Sequence, residues 1–294
     1  MLTVAHVLNF LLMWAMPIAL GVVLARRFRR GWGLWFAGAV TFILSQVVHI
    51  PLNLVLSRLG VFSAAPAAWQ LPVSAVLLGL SAGLCEELAR FLVLRYWRKE
   101  ARSWGAALVF GAGHGGVEAI FVGVLTALAF VQLTALASTD LNTLGLNPEQ
   151  LAAVQNQLTL YQTAPWPAAL MGAVERLFAL CVHLALTVMV MQVFTRRRLW
   201  WLAAAIAWHA LTNAVTVYVL QTLGGAGSLN ALYGTELVVG VFALLSLGIV
   251  FALRQPEPST PQPVGSDAPL PAPLAGPLTP PPLTSEALKE TKYQ

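Results

Sequence analysis

The sequence predicts an all-α fold, a polytopic transmembrane helical bundle of about seven spans with its N-terminus outside and its C-terminus inside. Three observations carry that expectation. Apolar residues make up 58% of the 294 and charged residues 10%, with a mean hydropathy of +0.73, a balance suited to lipid as solvent. Apolar runs long enough to cross about 30 Å of hydrocarbon recur at 3–25, 33–55, 70–95, 104–136, 166–195, 199–222 and 232–253. Basic residues gather at every second junction between these runs, which places those junctions on the cytoplasmic side.

The first run has no charged segment before it and ends in a basic stop at Arg26, Arg27, Arg29 and Arg30, so it reads as a retained anchor and not as a cleaved signal. The second leads into a junction, 56–69, whose single basic residue is Arg58. The third carries Glu86, Glu87 and Arg90 in GLCEELARFL, ahead of Arg95, Arg98, Lys99 and Arg102; the fourth carries His114 and Glu118 in FGAGHGGVEAI. In the outer segment that follows, Asn147 can cap a helix with Pro148 at its first position, and Leu151, Val154, Leu158 and Tyr161 share one face. That pattern predicts a short helix lying on the membrane surface. The fifth run carries Glu175, Arg176 and His183 and ends at Arg196, Arg197 and Arg198; the sixth carries His209 and Asn213 in WHALTN.

After the seventh run, residues 255–294 hold 11 of the 18 prolines and are expected to form a disordered cytoplasmic tail. Residues 1–254 are the integral membrane helical domain, with a site-bearing core at about 80–215. Cys85 and Cys181 fall inside runs and read as small apolar groups; His6 and His49, near run ends, read as interfacial. The net charge of +5 belongs to membrane edges, so a nucleic-acid partner is not expected.

An ionisable side chain at membrane depth is disfavoured by at least about 2.5–3.5 kcal/mol and normally faces a protein interior. Here such residues are grouped. Counted from the flanking arginines, Glu87, His114, His183 and His209 all lie roughly 12–20 Å into the membrane. Glu86 with Arg90, His114 with Glu118, Arg176 with His183 and His209 with Asn213 each share a helix face. Four polar stripes at one depth cost least when they turn toward one site. Gly111, Gly113, Gly115 and Gly116 remove bulk around His114 so that neighbouring helices can approach.

Three nitrogen or oxygen ligands with a water form a catalytic zinc site, which lowers the pKa of the bound water to about 7. His114, His183 and His209 are the candidate metal ligands, for zinc or another divalent ion. Glu86 or Glu87 is the candidate base for the water, Arg90 the partner that keeps the glutamates ionised, and Asn213 a further ligand or oxyanion donor. Glu118, Glu175 and Arg176 stand where they could orient the histidines.

These residues resemble those of the YhfC-type intramembrane metalloproteases, relatives of the CAAX prenyl protease and bacteriocin-processing (CPBP) enzymes. The likeness covers the third to sixth runs. The CPBP pattern is a Glu-Glu pair followed by Arg, then Phe-x-x-x-His, then His-x-x-x-Asn or a small residue; the chain offers Glu86, Glu87 and Arg90, Phe110 and His114, and His209 and Asn213. GHGGVE, and Glu175-Arg176 followed by His183, resemble the YhfC branch. One spacing departs, since the relatives commonly place the arginine four residues after the second glutamate and Arg90 follows Glu87 by three. The resemblance implies a glutamate and histidines around a metal or an activated water. The substrate it implies is a membrane-embedded or membrane-associated peptide or protein, in the lipid bilayer of a bacterial cytoplasmic (inner) membrane.

Two other classes use the same residues. A transporter or proton relay would pass protons along the buried Glu and His cluster, but the chain has neither an internal repeat nor a matching pair of broken helices. A non-catalytic membrane scaffold has no reason to align three histidines. Serine and aspartyl intramembrane proteases fit less well, the latter because no aspartate lies within a run.

Overall fold

Every regular element among the described residues is helical, as a lipid environment requires. Without water to satisfy backbone N–H and C=O groups, each segment must close its own hydrogen bonds. The computed structural model describes residues 1–62, 69–225 and 227–257; the expected tail beyond 257 lies outside the described residues. The helices are α1 (Leu2–Arg27), α2 (Trp32–Arg58), α3 (Gln70–Leu92), α4 (Trp104–Ala137), α5 (Pro148–Thr163), α6 (Met171–Thr195), α7 (Trp200–Thr222) and α8 (Leu229–Ala252). A single π-helical turn, Val93–Trp97, continues α3.

Six of the described helices, α1, α2, α4, α6, α7 and α8, are long and apolar enough to cross a membrane. Helix α3 has 23 residues and lies outside that set of six, against the seven spans expected. It stands apart because Glu86, Glu87 and Arg90 are on it, and all three are buried inside the bundle. Helix α5 starts as expected: Asn147 and Gln150 form a reciprocal capping box with Pro148 in the first turn, and of its residues only Leu158 is buried.

The connections alternate between two ends of the bundle, and contacts tie each end together. At one end Arg30 bonds Ser103 and Glu257, Glu257 accepts from the Gly105 amide, Gln255 bonds Gln192, and the Arg102 guanidinium lies 4.1 Å over the Phe194 ring. The basic junctions therefore share one end. At the other, His6 stacks on Tyr161 at 4.5 Å and Asn9 accepts from the Ala173 amide.

Helix α6 is the hub, packing on α1, α3, α4, α7 and α8; its residues 182–193 are buried without interruption, as are 105–116 of α4. An element buried on all sides has no amphipathic stripe to read. Close approach does the positioning instead. A Cβ at Gly38 of α2 would run into the Phe110 carbonyl, and one at Gly113 of α4 into the Trp35 carbonyl, so these two helices cross backbone to backbone. Their crossing lies at the level of His114.

Candidate metal centre

Four helices deliver the site. Helix α3 brings Glu86, Glu87 and Arg90, α4 brings His114 and Glu118, α6 brings Arg176 and His183, and α7 brings His209. Glu87, Arg90 and His114 are sealed from solvent, and Glu86, His183 and His209 nearly so.

The two adjacent glutamates enter different company. Glu87 accepts from Arg90 Nη1 at 2.6 and 2.5 Å and from His209 Nδ1 at 2.8 Å. Glu86 places Oε2 at 3.1 Å from His114 Nε2, and its Oε1 accepts from the Gln46 amide at 3.4 Å. One carboxylate is saturated by a cation and an imidazole; the other is held loosely by neutral donors.

Proton positions follow from donor logic. Arg90 Nη2 lies 3.2 Å from His183 Nδ1, and a guanidinium can only donate, so Nδ1 accepts and Nε2 carries the hydrogen. That hydrogen goes to Glu118, 2.6 Å away. Glu118 is held in turn by Arg176 at 2.6 Å, and Arg176 also binds Glu175 at 2.5 Å. For His114, donation from Nε2 to Glu86 leaves Nδ1 buried without a partner, an uncommon state for a polar atom in a protein interior.

Glu86, His114 and His183 each offer a donor atom, all within 4.8 Å of one another. A buried carboxylate and two imidazoles make a donor set that suits zinc or a similar divalent ion, and the unpartnered nitrogen of His114 agrees with that fit. His183 is engaged through both ring nitrogens, so ligation would exchange one contact for the ion. Its bond to Glu118 is of the kind that orients ligating imidazoles.

Of the residues singled out in the sequence, His209 pairs with Glu87 and stands outside this donor set, and Glu86 occupies the third corner. Glu118, Glu175 and Arg176 form one chain leading to His183. Asn213 is half-buried, one turn beyond His209 on α7, and bonds none of the cluster. Cys85 and Cys181 are free and half-buried.

Gln46 and His49 escape the sequence reading. Asn53 Nδ2 donates to His49 Nε2 at 2.9 Å, His49 Nδ1 to Gln46 Oε1 at 3.2 Å, and Gln46 Nε2 to Glu86 at 3.4 Å. Every donor in this chain points toward Glu86. His49, expected only as an interfacial residue, is half-buried and takes part in this chain. The available signal is the spacing of 46, 49 and 53, which puts all three on one helix face. Ser81 borders the chain, within Gly79-Leu80-Ser81-Ala82-Gly83. That run matches a Gly-x-Ser-x-Gly pattern but lies inside α3, with no strand-to-helix turn to expose its hydroxyl. The hydroxyl bonds Asn53 at 2.8 Å and the Leu78 carbonyl at 2.9 Å.

Comparison with known proteins agrees with this picture of an integral membrane protein. The chain is 29% identical over 238 residues to the "Uncharacterized membrane protein YhfC" of Bacillus subtilis (strain 168), covering 79% of this chain and 88% of that protein. No solved structure matches it. The model of the family described as YhfC intramembrane metalloprotease matches residues 12–233, a stretch that contains every residue of the site, and the chain belongs to that family.

Proposed function

We propose that the protein is a metal-dependent endopeptidase that hydrolyses a peptide bond of a membrane-associated substrate, in a bacterial cytoplasmic membrane with the basic junctions inside. The observation that carries this reading is the contrast inside one buried cluster: Glu87 is neutralised by Arg90 and His209, while Glu86, His114 and His183 converge with donor atoms within 4.8 Å of one another and one His114 nitrogen unpartnered.

His114 and His183 would hold the metal, with zinc favoured by the imidazole nitrogens, and Glu86 would stand beside it as the base. When bound, such an ion acidifies a water and polarises a carbonyl. Glu86 takes the proton of the attacking water and returns it to the leaving amine, a role suited to the carboxylate whose oxygens are least constrained. His114 keeps one of those oxygens aimed through its 3.1 Å contact. Arg90 and Glu87 form a fixed frame that sets the rotation of His209, and Glu118 does the same for His183.

The test is elemental analysis of the purified full-length protein beside peptide hydrolysis in lipid. Wild type should carry about one zinc per chain, lost in His114→Ala and His183→Ala and kept in His209→Ala. Glu86→Gln should stop cleavage of a fluorogenic single-span peptide. Wild type free of metal, or full cleavage in Glu86→Gln, would overturn the reading.

A further inference from the structure

A cavity of about 670 Å³ opens between α2 and α4. Ile43, Val47, Ile50, Phe121, Val122 and Leu125 give it aliphatic and aromatic walls, and Gln46 and Glu118 are the polar residues in its lining. Three lining residues each touch a different member of the donor set. Gln46 bonds Glu86 at 3.4 Å, the Phe42 ring meets the His114 ring edge-on at 5.5 Å, and Glu118 bonds His183 at 2.6 Å. The inner wall of the cleft is therefore the outer wall of the site.

Resting on the hydrolytic reading above, we propose that this cleft is the subsite for a short, extended aliphatic stretch of a membrane-spanning polypeptide, laid against Gln46 so that its backbone reaches Glu86. The cleft encloses only a short length of a span. One helical turn with side chains fills roughly 400–600 Å³, from a diameter of about 10–12 Å and a pitch of 5.4 Å, so the cleft holds about one turn of the roughly 20 residues a span needs. A helical substrate also keeps its amides closed against hydrolysis. Once unwound, the same stretch bares N–H and C=O groups that lipid cannot satisfy; the Gln46 amide hydrogens go to Glu86 and Ser45, and its oxygen keeps a lone pair beyond the His49 contact to accept one such N–H. The plane of the Gln46 amide is set by the Asn53 and His49 chain behind it.

Photolabelling tests this without requiring turnover. Full-length Glu86→Gln protein in lipid nanodiscs is irradiated with a synthetic leucine-alanine single-span peptide carrying a diazirine leucine at its centre, with or without a helix-breaking Gly-Pro beside it. Adducts should map to 42–51 and 118–125 and be about fivefold more abundant with the Gly-Pro peptide. Val47→Trp combined with Leu125→Trp, at two exposed positions, should cut those adducts about fivefold and leave labelling at Leu237 and Leu244, exposed on α8, unchanged. Equal labelling of all lipid-facing helices would overturn the proposal. So would a diazirine phosphatidylcholine that labels the cleft and is not displaced by excess peptide. The two readings separate: cleft labelling by a peptide that wild type never cleaves sinks the hydrolytic reading alone, and cleavage with adducts elsewhere sinks the subsite alone.

Discussion

Glu86 and Glu87 are neighbours in sequence and both buried, yet they have opposite surroundings. One residue of helix turns a side chain by about 100°, enough to send Glu87 toward α7 and Glu86 toward α4 and α2. Glu87 meets a guanidinium and an imidazole within 2.8 Å; Glu86 meets His114 and the Gln46 amide at 3.1 and 3.4 Å. A buried carboxylate that is fully paired resists change, whereas one held by neutral donors can still exchange a proton. Burial alone therefore does not tell the two carboxylates apart. The count and charge of their partners do.

The contrast can be broken at either carboxylate. The largest effect is expected from Arg90→Met, which strands Glu87 as an uncompensated buried charge and should cost about 3–5 kcal/mol of stability, read as a lowered unfolding temperature in detergent. Glu86→Gln should keep its unfolding temperature within the change expected for about 1 kcal/mol while peptide hydrolysis falls about 10²–10⁴-fold. If the two variants exchanged phenotypes, the assignment of frame and base would be reversed. Adding Glu87→Gln to Arg90→Met should recover part of the lost stability, because the pair is costly mainly when half is removed; equal or greater loss in the double variant would show that Glu87 does more than balance Arg90. The smallest effect belongs to Gln46→Met, isosteric but without the donor to Glu86, for which hydrolysis should fall about tenfold, near 1.4 kcal/mol, with metal content unchanged.

Much of this architecture is legible in the sequence because depth is a one-dimensional property. Counting residues from the flanking arginines places Glu87, His114, His183 and His209 at one level, and they do meet there. The cap of α5 is equally readable, since Asn147, Pro148 and Gln150 act within a single turn. Pairing is another matter. Whether His209 faces a metal or Glu87 depends on how α7 is rotated against α3, and that rotation is set by backbone contact: a Cβ at Gly79 would strike the Ala210 carbonyl, and one at Gly83 would come within 2.8 Å of the Ile206 carbonyl. No periodicity reports it. Gln46 and His49 were obscured for a different reason, a neutral amide carrying no charge to flag it and a histidine placed near the end of an apolar run.

The crossing at Gly38 and Gly113 has a mechanical consequence. The backbones of α2 and α4 are packed closest there, so a splay of the two helices would pivot about that contact. Val47 lies nine residues from Gly38, a lever arm of about 13.5 Å at 1.5 Å per residue. A 10° splay would thus widen the gap beside Val47 by about 2.4 Å, half the spacing between paired strands, while the geometry around His114 stays nearly still. A blade that opens at its tip and holds at its rivet changes the cleft and spares the cluster behind it.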